Sequence, residues 1–248
     1  MKKQTTQRIG ILLILIGGMC FLAIGGFSIW ADLEAAIFNM VRRSSEAIPT
    51  LKCPSVITPD EIGIVSASFS NPSERNVSPL IRTNVTDGYV TLMREYNTRL
   101  IIAPGETERV EIRVDAEDAA YNRLILVRMH QFGYGPYRYR HASCGIVVID
   151  IPILTGSQFV VFVTSLGLLF SALGIYLYIL GSKTLKREKQ TILNQFLVYI
   201  FITLLIAIVG LSGWWLLGIL LVSFGLILCI VLISQKILEG KNKKIYGN

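Results

Sequence analysis

The sequence predicts a membrane protein of four helical spans with a β-patterned domain inserted after the first, and three observations predict it. The 248-residue chain is 52% hydrophobic and 17% charged, with a mean hydropathy of +0.55, too apolar for an ordinary soluble domain. Four long runs, 9–30, 158–180, 192–211 and 214–234, contain no Asp, Glu, Lys, Arg or His. The formal charge of +7 is unevenly placed. Residues 1–8, 182–191 and 235–248 hold eleven Lys or Arg and two acids, whereas residues 31–157 hold thirteen basic and fifteen acidic residues. Positive charge confined to short flanks of apolar runs fits cytoplasmic loops at an anionic leaflet, not a nucleic-acid footprint.

Taken in order, residues 1–8 are basic through Lys2, Lys3 and Arg8, and 9–30 is long enough to cross a hydrocarbon layer of about 30 Å. A signal-peptide apolar core runs only about 7 to 15 residues. An uncleaved anchor is therefore expected, with cleavage near Ala31 the alternative; either exports the next segment. Residues 31–48 place Leu33, Ala36, Ile37, Met40 and Val41 at helical spacing, between Asp32 and Glu34 at one end and Arg42 and Arg43 at the other. This predicts an amphipathic helix on the outer membrane surface or under the inserted domain, or else an extension of the first span.

Residues 49–157 change texture to short β-prone runs broken by turn chemistry. Ile62–Phe69 precedes Asn71-Pro72-Ser73, Val77–Thr86 precedes Asp87-Gly88, and Arg99–Ile102 precedes Ala103-Pro104-Gly105-Glu106. Thr107–Val114 alternates Val110, Ile112 and Val114 with charged neighbours, and two apolar strands follow at Arg123–Phe132 and Ser143–Ile151. Six or seven short strands argue for an all-β antiparallel sandwich. In its Asn-Pro-Ser break and the 100–106 run ending in Ala-Pro-Gly-Glu, the segment resembles the immunoglobulin-like sandwiches of bacterial surface proteins. The resemblance covers residues 53–151, lacks a central Trp, and carries no activity with it.

The second span, 158–181, returns the chain to the inside, where 182–191 holds Lys183, Lys186, Arg187 and Lys189 against Glu188. Spans at 192–211 and 214–234 form a hairpin around Ser212-Gly213, and the tail 235–248 ends inside with Lys236, Lys241, Lys243 and Lys244. The expected location is the plasma or inner membrane, both termini cytoplasmic and residues 31–157 outside the cytosol.

Cys53 and Cys144 flank the exported domain and are expected to form a disulfide; Cys20 and Cys229 lie in spans as packing residues. Residues 130–141 gather Tyr134, Tyr137, Tyr139, Arg138, Arg140 and both His of the protein, His130 and His141. Tyr and Arg bring large contact area with polar handles, so Tyr134, Tyr137, Arg138, Tyr139, Arg140 and His141 are the candidate partner-binding set. The alternative is a hairpin with aromatic pairs across it. Asp115-Ala116-Glu117-Asp118 lacks the ligand alternation of a calcium loop and is read as a cap for a turn at Ala119–Asn122. No metal or cofactor is expected. Asn76-Val77-Ser78 and Asn84-Val85-Thr86 are glycosylation sequons, and Asn71 is excluded by Pro72.

Within the spans, Gly18 and Gly25, then Gly167, Ser171, Gly174 and Gly181, then Gly218 and Gly225 form small-residue stripes for close helix packing. Trp30, Trp214 and Trp215 are placed at membrane interfaces. Uncharged spans disfavour proton-coupled transport, and no nucleophile with a base or phosphate-binding loop is found, so the chain is not expected to be an enzyme. The leading expectation is a non-catalytic accessory subunit whose exported sandwich binds a protein partner. A receptor or sensor subunit is the alternative, and a small oligomeric channel, through Asn194, Gln195, Thr203 and Ser223, is a weaker one.

Overall fold

A computed structural model describes residues 2–38, 46–133, 139–181 and 186–245. Among the described residues, four helices, α1 (Lys2–Ile37), α2 (Gly156–Gly181), α3 (Lys186–Leu211) and α4 (Trp215–Ile245), accompany eight strands. Three helical stretches, Thr5–Ile37, Gly156–Gly181 and Ile192–Leu211, are long and apolar enough to cross a membrane. The apolar part of α4 among the described residues, Trp215–Leu228, is shorter than these, so the expected fourth span has no such support. The chain divides into two compact units, Met1–Gly26 with Phe162–Asn248, and Phe27–Val161.

The first unit is a helical bundle packed on small residues. A Cβ added at Gly10 would lie 2.7 Å from the Tyr178 nitrogen, and one at Gly174 would lie 2.7 Å from the Gly10 carbonyl, so α1 and α2 approach backbone to backbone. Gly17 meets Gly167 and Ser171 the same way. The adjacent stripe on α1 serves α3: Gly18 lies against the Tyr199 ring, and Gly25 against the Ile206 carbonyl and Gly210. Tyr178, Tyr199, Phe196 and Ile14 are buried together, the Tyr178 and Phe196 rings edge to face at 5.5 Å. Gly225 faces Ile206 and Leu22, while Gly181 and Gly218 are buried. After α3, Gly213 takes φ +76°. Its N–H donates to Gly210 O, and the Trp214 N–H donates to Val209 O, the bond pair that closes a helix on a left-handed glycine.

The second unit is a two-layer β domain. The larger sheet joins β1 (Glu46–Ala47), β2 (Val56–Ile57), β4 (Leu80–Asp87), β5 (Tyr89–Arg99), β7 (Leu124–Phe132) and β8 (Arg140–Val148), in the order β1-β8-β7-β4-β5 with β2 also on β8. The smaller pairs β3 (Gly63–Ser70) with β6 (Thr107–Val114) in register from Gly63 opposite Val114 to Ser70 opposite Thr107. One core fills the space between: Val65, Ala67, Phe69, Val110, Ile112 and Val114 from the small sheet meet Ile81, Val85, Ile125, Val127, Met129 and Ile146 from the large one.

The sheet is mixed, not purely antiparallel, because β1 and β2 both run parallel to β8. Strand β5 occupies a stretch that the turn-and-run pattern leaves unassigned, and Arg99–Ile102 is its end plus a loop, with Ile102 bridged to Val77. The Cys53–Cys144 disulfide is present, its Cα atoms 6.5 Å apart, packed against the shared core. Asp115 caps a single 3-10 turn at Ala116–Asp118 through a reciprocal capping box, one turn earlier than expected.

Helix continues past Trp30 without a break to Ile37, so the Asp32 region extends the first apolar helix, and its side packs on the domain. Ala35 and Phe38 are buried against Leu126, and Ala31 against Val56 and Val147. A Cβ at Gly145 would overlap the Ala31 backbone, so only glycine permits this approach. Asp32 accepts the Gly145 N–H at 3.0 Å, filling the gap on the β8 edge between the β1 and β2 pairings. Met40, Val41, Arg42 and Arg43 lie outside the described residues.

Candidate partner-binding face

Register places a polar row across the outer face of the large sheet. Arg82 on β4 stands opposite His130 on β7, which stands opposite His141 on β8; one pair further along, Asn84 is opposite Arg128 and Arg128 opposite Ser143. Odd-numbered residues of β7, Ile125, Val127 and Met129, enter the shared core, so the even-numbered Arg128, His130 and Phe132 share the other face.

Arg128, with 2% of its surface exposed, is held by the end of α1. Its Nη1 donates to the carbonyls of Ala36 and Phe38, both at 2.9 Å. These carbonyls sit at the negative end of the helix dipole, where a cation is favoured. Burial pulls the guanidinium below its ordinary pKa. His130, also 2% exposed, stacks on Tyr139 with centroids 5.8 Å apart, and its Nδ1 shares a 2.6 Å hydrogen bond with the Tyr139 hydroxyl. Burial first, then the positive charges of Arg128 and neighbours, push its pKa down to about 4, so the ring is neutral at physiological pH. His141 is pushed down by burial and by Arg128.

Above this buried layer the row becomes accessible. The Phe132 and Tyr139 rings are 5.3 Å apart, and the Arg82 guanidinium lies 5.4 Å from the Phe132 centroid, a cation–π arrangement. Arg82 also pairs with Glu95 at 3.2 Å and donates to Asn97 Oδ1. Arg140, next to Tyr139 on β8, alternates to the other face of the strand, opposite Gln131, and is exposed there. It lines a small cleft of about 80 Å³ with Thr50, Ser68, Ser70 and Gln131, room for a side-chain tip and well below a small-molecule pocket of about 300 Å³ or more. Of the six residues expected to bind a partner, Tyr139 and His141 share this face, their rings stacked at 6.1 Å, while Arg140 between them alternates to the other face; Tyr134, Tyr137 and Arg138 lie outside the described residues. Sequence reasoning missed Arg82, Phe132, Arg128 and Asn84, whose shared face only the strand register reveals.

The remaining marked residues fall elsewhere. Trp30 is exposed and donates to Glu34 Oε1 at 3.1 Å, Trp214 is 67% exposed, and Trp215 is partly covered. Asn71 is buried, donating to the carbonyls of Arg75 and Ile102 and accepting from Ser73, so the Asn-Pro-Ser break ties two loops together. Of the two sequons, Asn76 is exposed, whereas Asn84 is 1% exposed within β4 and closed to a glycan in the folded domain. Among the described residues, no group of three His, Cys, Asp or Glu is placed to hold a metal ion.

No family model matches the chain, and no curated protein matches it. Among solved structures, the chain is similar to the CARDB domain of a Pyrococcus furiosus protein crystallised with di-metal ions, at 10% identity and TM-score 0.31, over 41% of this chain and 90% of that one. It is also similar to a β-glucosidase from Erythrobacter marinus, at 14% identity and TM-score 0.29, over 40% of this chain but 15% of the glucosidase. Overlaps this loose carry no functional inference. The chain is a sheet-rich domain joined to long apolar helices.

Proposed function

We propose that this chain is a non-catalytic, multi-pass membrane protein whose immunoglobulin-like domain lies outside the cytosol and binds a protein partner as an accessory subunit of a membrane complex. Four spans, with both termini in the cytosol, complete the reading. The observation that carries it is the Arg82–Phe132–Tyr139 cluster, where two aromatic rings lie 5.3 Å apart and the Arg82 guanidinium stands 5.4 Å from the Phe132 centroid, with Arg140 exposed beside it on the other strand face at a cleft too small for a metabolite. Tyr, Phe and Arg on a rigid sheet offer contact area at low entropic cost, the composition of interface hot spots. The Cys53–Cys144 disulfide supports an oxidising compartment, and basic flanks of uncharged helices support the cytosolic placement of both ends.

The test is a photo-crosslinking residue at Arg140 in intact cells, followed by mild-detergent extraction and sizing. A single discrete adduct, lost when Phe132 and Tyr139 are both replaced by Ala, is expected. A monomeric particle with no adduct, or an adduct indifferent to those replacements, refutes the assignment.

A further inference from the structure

One end of the β domain gathers the turns at which the chain passes to its apolar helices. The Tyr121 N–H donates to Gly88 O at 3.0 Å, Val148 N–H to Arg123 O at 2.8 Å, and Ile149 N–H to Ile57 O at 3.0 Å. Gly156, the first residue of α2, donates its N–H to Glu61 Oε2 at 2.8 Å, and Thr58 N–H reaches the same oxygen at 3.3 Å. These bonds tie the turns 58–62, 87–89, 120–123 and 149–156 into one surface. Helix α1 comes in at this end too, meeting Val56 and Val147 through Ala31 before it reaches Leu126 through Ala35.

Each of these turns exposes a large apolar or aromatic side chain: Ile62 at 62%, Tyr89 at 57%, Tyr121 at 66% and Ile153 at 86%. Singly, exposed residues of this kind are ordinary; gathered on one end of a domain they make a patch. The Tyr89 and Tyr121 rings meet edge to face, 6.0 Å apart. Tyr121 holds φ +54°, a left-handed conformation costly for a residue with a Cβ, yet its ring stays exposed and covers no part of the core. The exposed charges in the same turns are Asp60, Asp87 and Asp150 against Arg123. That balance gives no attraction to anionic headgroups and leaves apolar insertion as the mode of contact.

We propose that this end of the domain is a lipid-contacting surface, with Ile62, Tyr89, Tyr121 and Ile153 seated in the zwitterionic headgroup layer of the bilayer that holds the chain's own helices. Tyrosine suits that layer because its ring is apolar and its hydroxyl is wet. The surface is separate from the Arg82–Arg140 face and needs no assumption about which side of the membrane the domain occupies.

The full chain, with Cys20 and Cys229 replaced by Ala, is placed in phosphatidylcholine nanodiscs. A single new cysteine at Tyr121, Ile153 or Ile101 carries an environment-sensitive fluorophore. Ile101 is the reference, 74% exposed in the loop after β5, at the opposite end from the β4–β5 turn. Folding of each variant is checked by retention of the Cys53–Cys144 disulfide. At 121 and 153 the emission is expected to shift to the blue, with quenching by headgroup-proximal spin-labelled lipid roughly threefold stronger than at 101. Quenching at 121 and 153 equal to that at 101 overturns the proposal. So does stronger quenching when phosphatidylglycerol replaces half of the lipid, since that would mark charge attraction. Because the crosslink at Arg140 reads the opposite end, either assignment can fail alone.

Discussion

The neutral, buried His130 makes the β domain sensitive to mild acid in a calculable way. An unfolded chain takes up a proton on this histidine near its ordinary pKa of 6.5, whereas in the folded domain burial and the neighbouring Arg128 charge hold uptake back to about pH 4. The contribution to stability is therefore present in full above pH 6.5 and is lost as pH falls towards 4. Between pH 7.5 and pH 5, linkage from these two values gives a loss of about 2 kcal/mol, approaching about 3 kcal/mol at pH 4. For a domain of this size a 2 kcal/mol loss moves a urea midpoint by roughly 1.5 M. The assay is urea unfolding of the full chain in nanodiscs, followed by near-ultraviolet circular dichroism at pH 7.5 and pH 5. Other groups titrate over the same range, so the decisive quantity is the difference between wild type and His130→Gln. Glutamine keeps a hydrogen-bonding partner for the Tyr139 hydroxyl and cannot take a proton at these pH values. The variant should lose most of that 1.5 M acid shift while keeping a similar midpoint at pH 7.5. Equal acid shifts in both proteins would refute the assignment of the effect to His130.

Three further outcomes follow from packing. Gly145→Val drives a side chain into the Ala31 backbone and dislodges the Asp32 contact; a loss of at least about 3 kcal/mol is expected, and an unchanged melting temperature would contradict the α1–β8 contact. Replacing Cys53 and Cys144 together by Ser opens a loop with a sequence separation of 91, costing about 4 to 5 kcal/mol in the chain-entropy model and read as a lowered melting temperature relative to wild type under non-reducing conditions. In the helical unit, Gly17→Leu collides with Ser171 and Gly167, whereas a Cβ at Gly26 meets nothing within 4 Å. Thermal scans in detergent should therefore show a large loss for Gly17→Leu and little change for Gly26→Ala, and equal behaviour would rule out the close α1–α2 approach.

Elements whose signal is local were legible in the sequence, and those made by distant partners were not. Strand β6 is announced by the alternation of Val110, Ile112 and Val114, because one face of a two-stranded sheet covers the core and the other stays wet. Strand β5 carries Thr91, Arg94, Glu95, Asn97 and Thr98, and its edge position leaves it partly or fully exposed along its length, so no alternation marks it. The glycine stripe Gly18–Gly25 could be read from its spacing. The neighbouring stripe Gly10–Gly17 is not among the stripes read from the sequence; α1 presents adjacent stripes to α2 and α3, a pairing that spacing alone does not reveal. Parallel pairing of the very short β1 and β2 has no signature in two residues.

Strand β7 is the most informative case. Its residues Ile125 to Gln131 are all buried, as in a strand covered on both faces, yet Arg128, His130 and Gln131 interrupt the apolar run. Read alone, an arginine in such a strand argues for a wet outer face. In the fold the last turns of α1 cover that face, and their terminal carbonyls receive the arginine that would otherwise forbid the burial. The charge is accommodated by a helix end ninety residues away in sequence, and nothing near Arg128 in the chain reveals it. Asn84, Arg128 and His130 are all buried on this face, Arg128 under the end of α1 and His130 against Tyr139. Under the proposed function a protein partner meets the partly exposed Arg82, Phe132 and Tyr139, with the exposed Arg140 beside them. A partner that tolerates substitution of these four but responds to His130→Gln at neutral pH would have to act through the stability of β7, and that distinction separates recognition from folding in any screen of this domain.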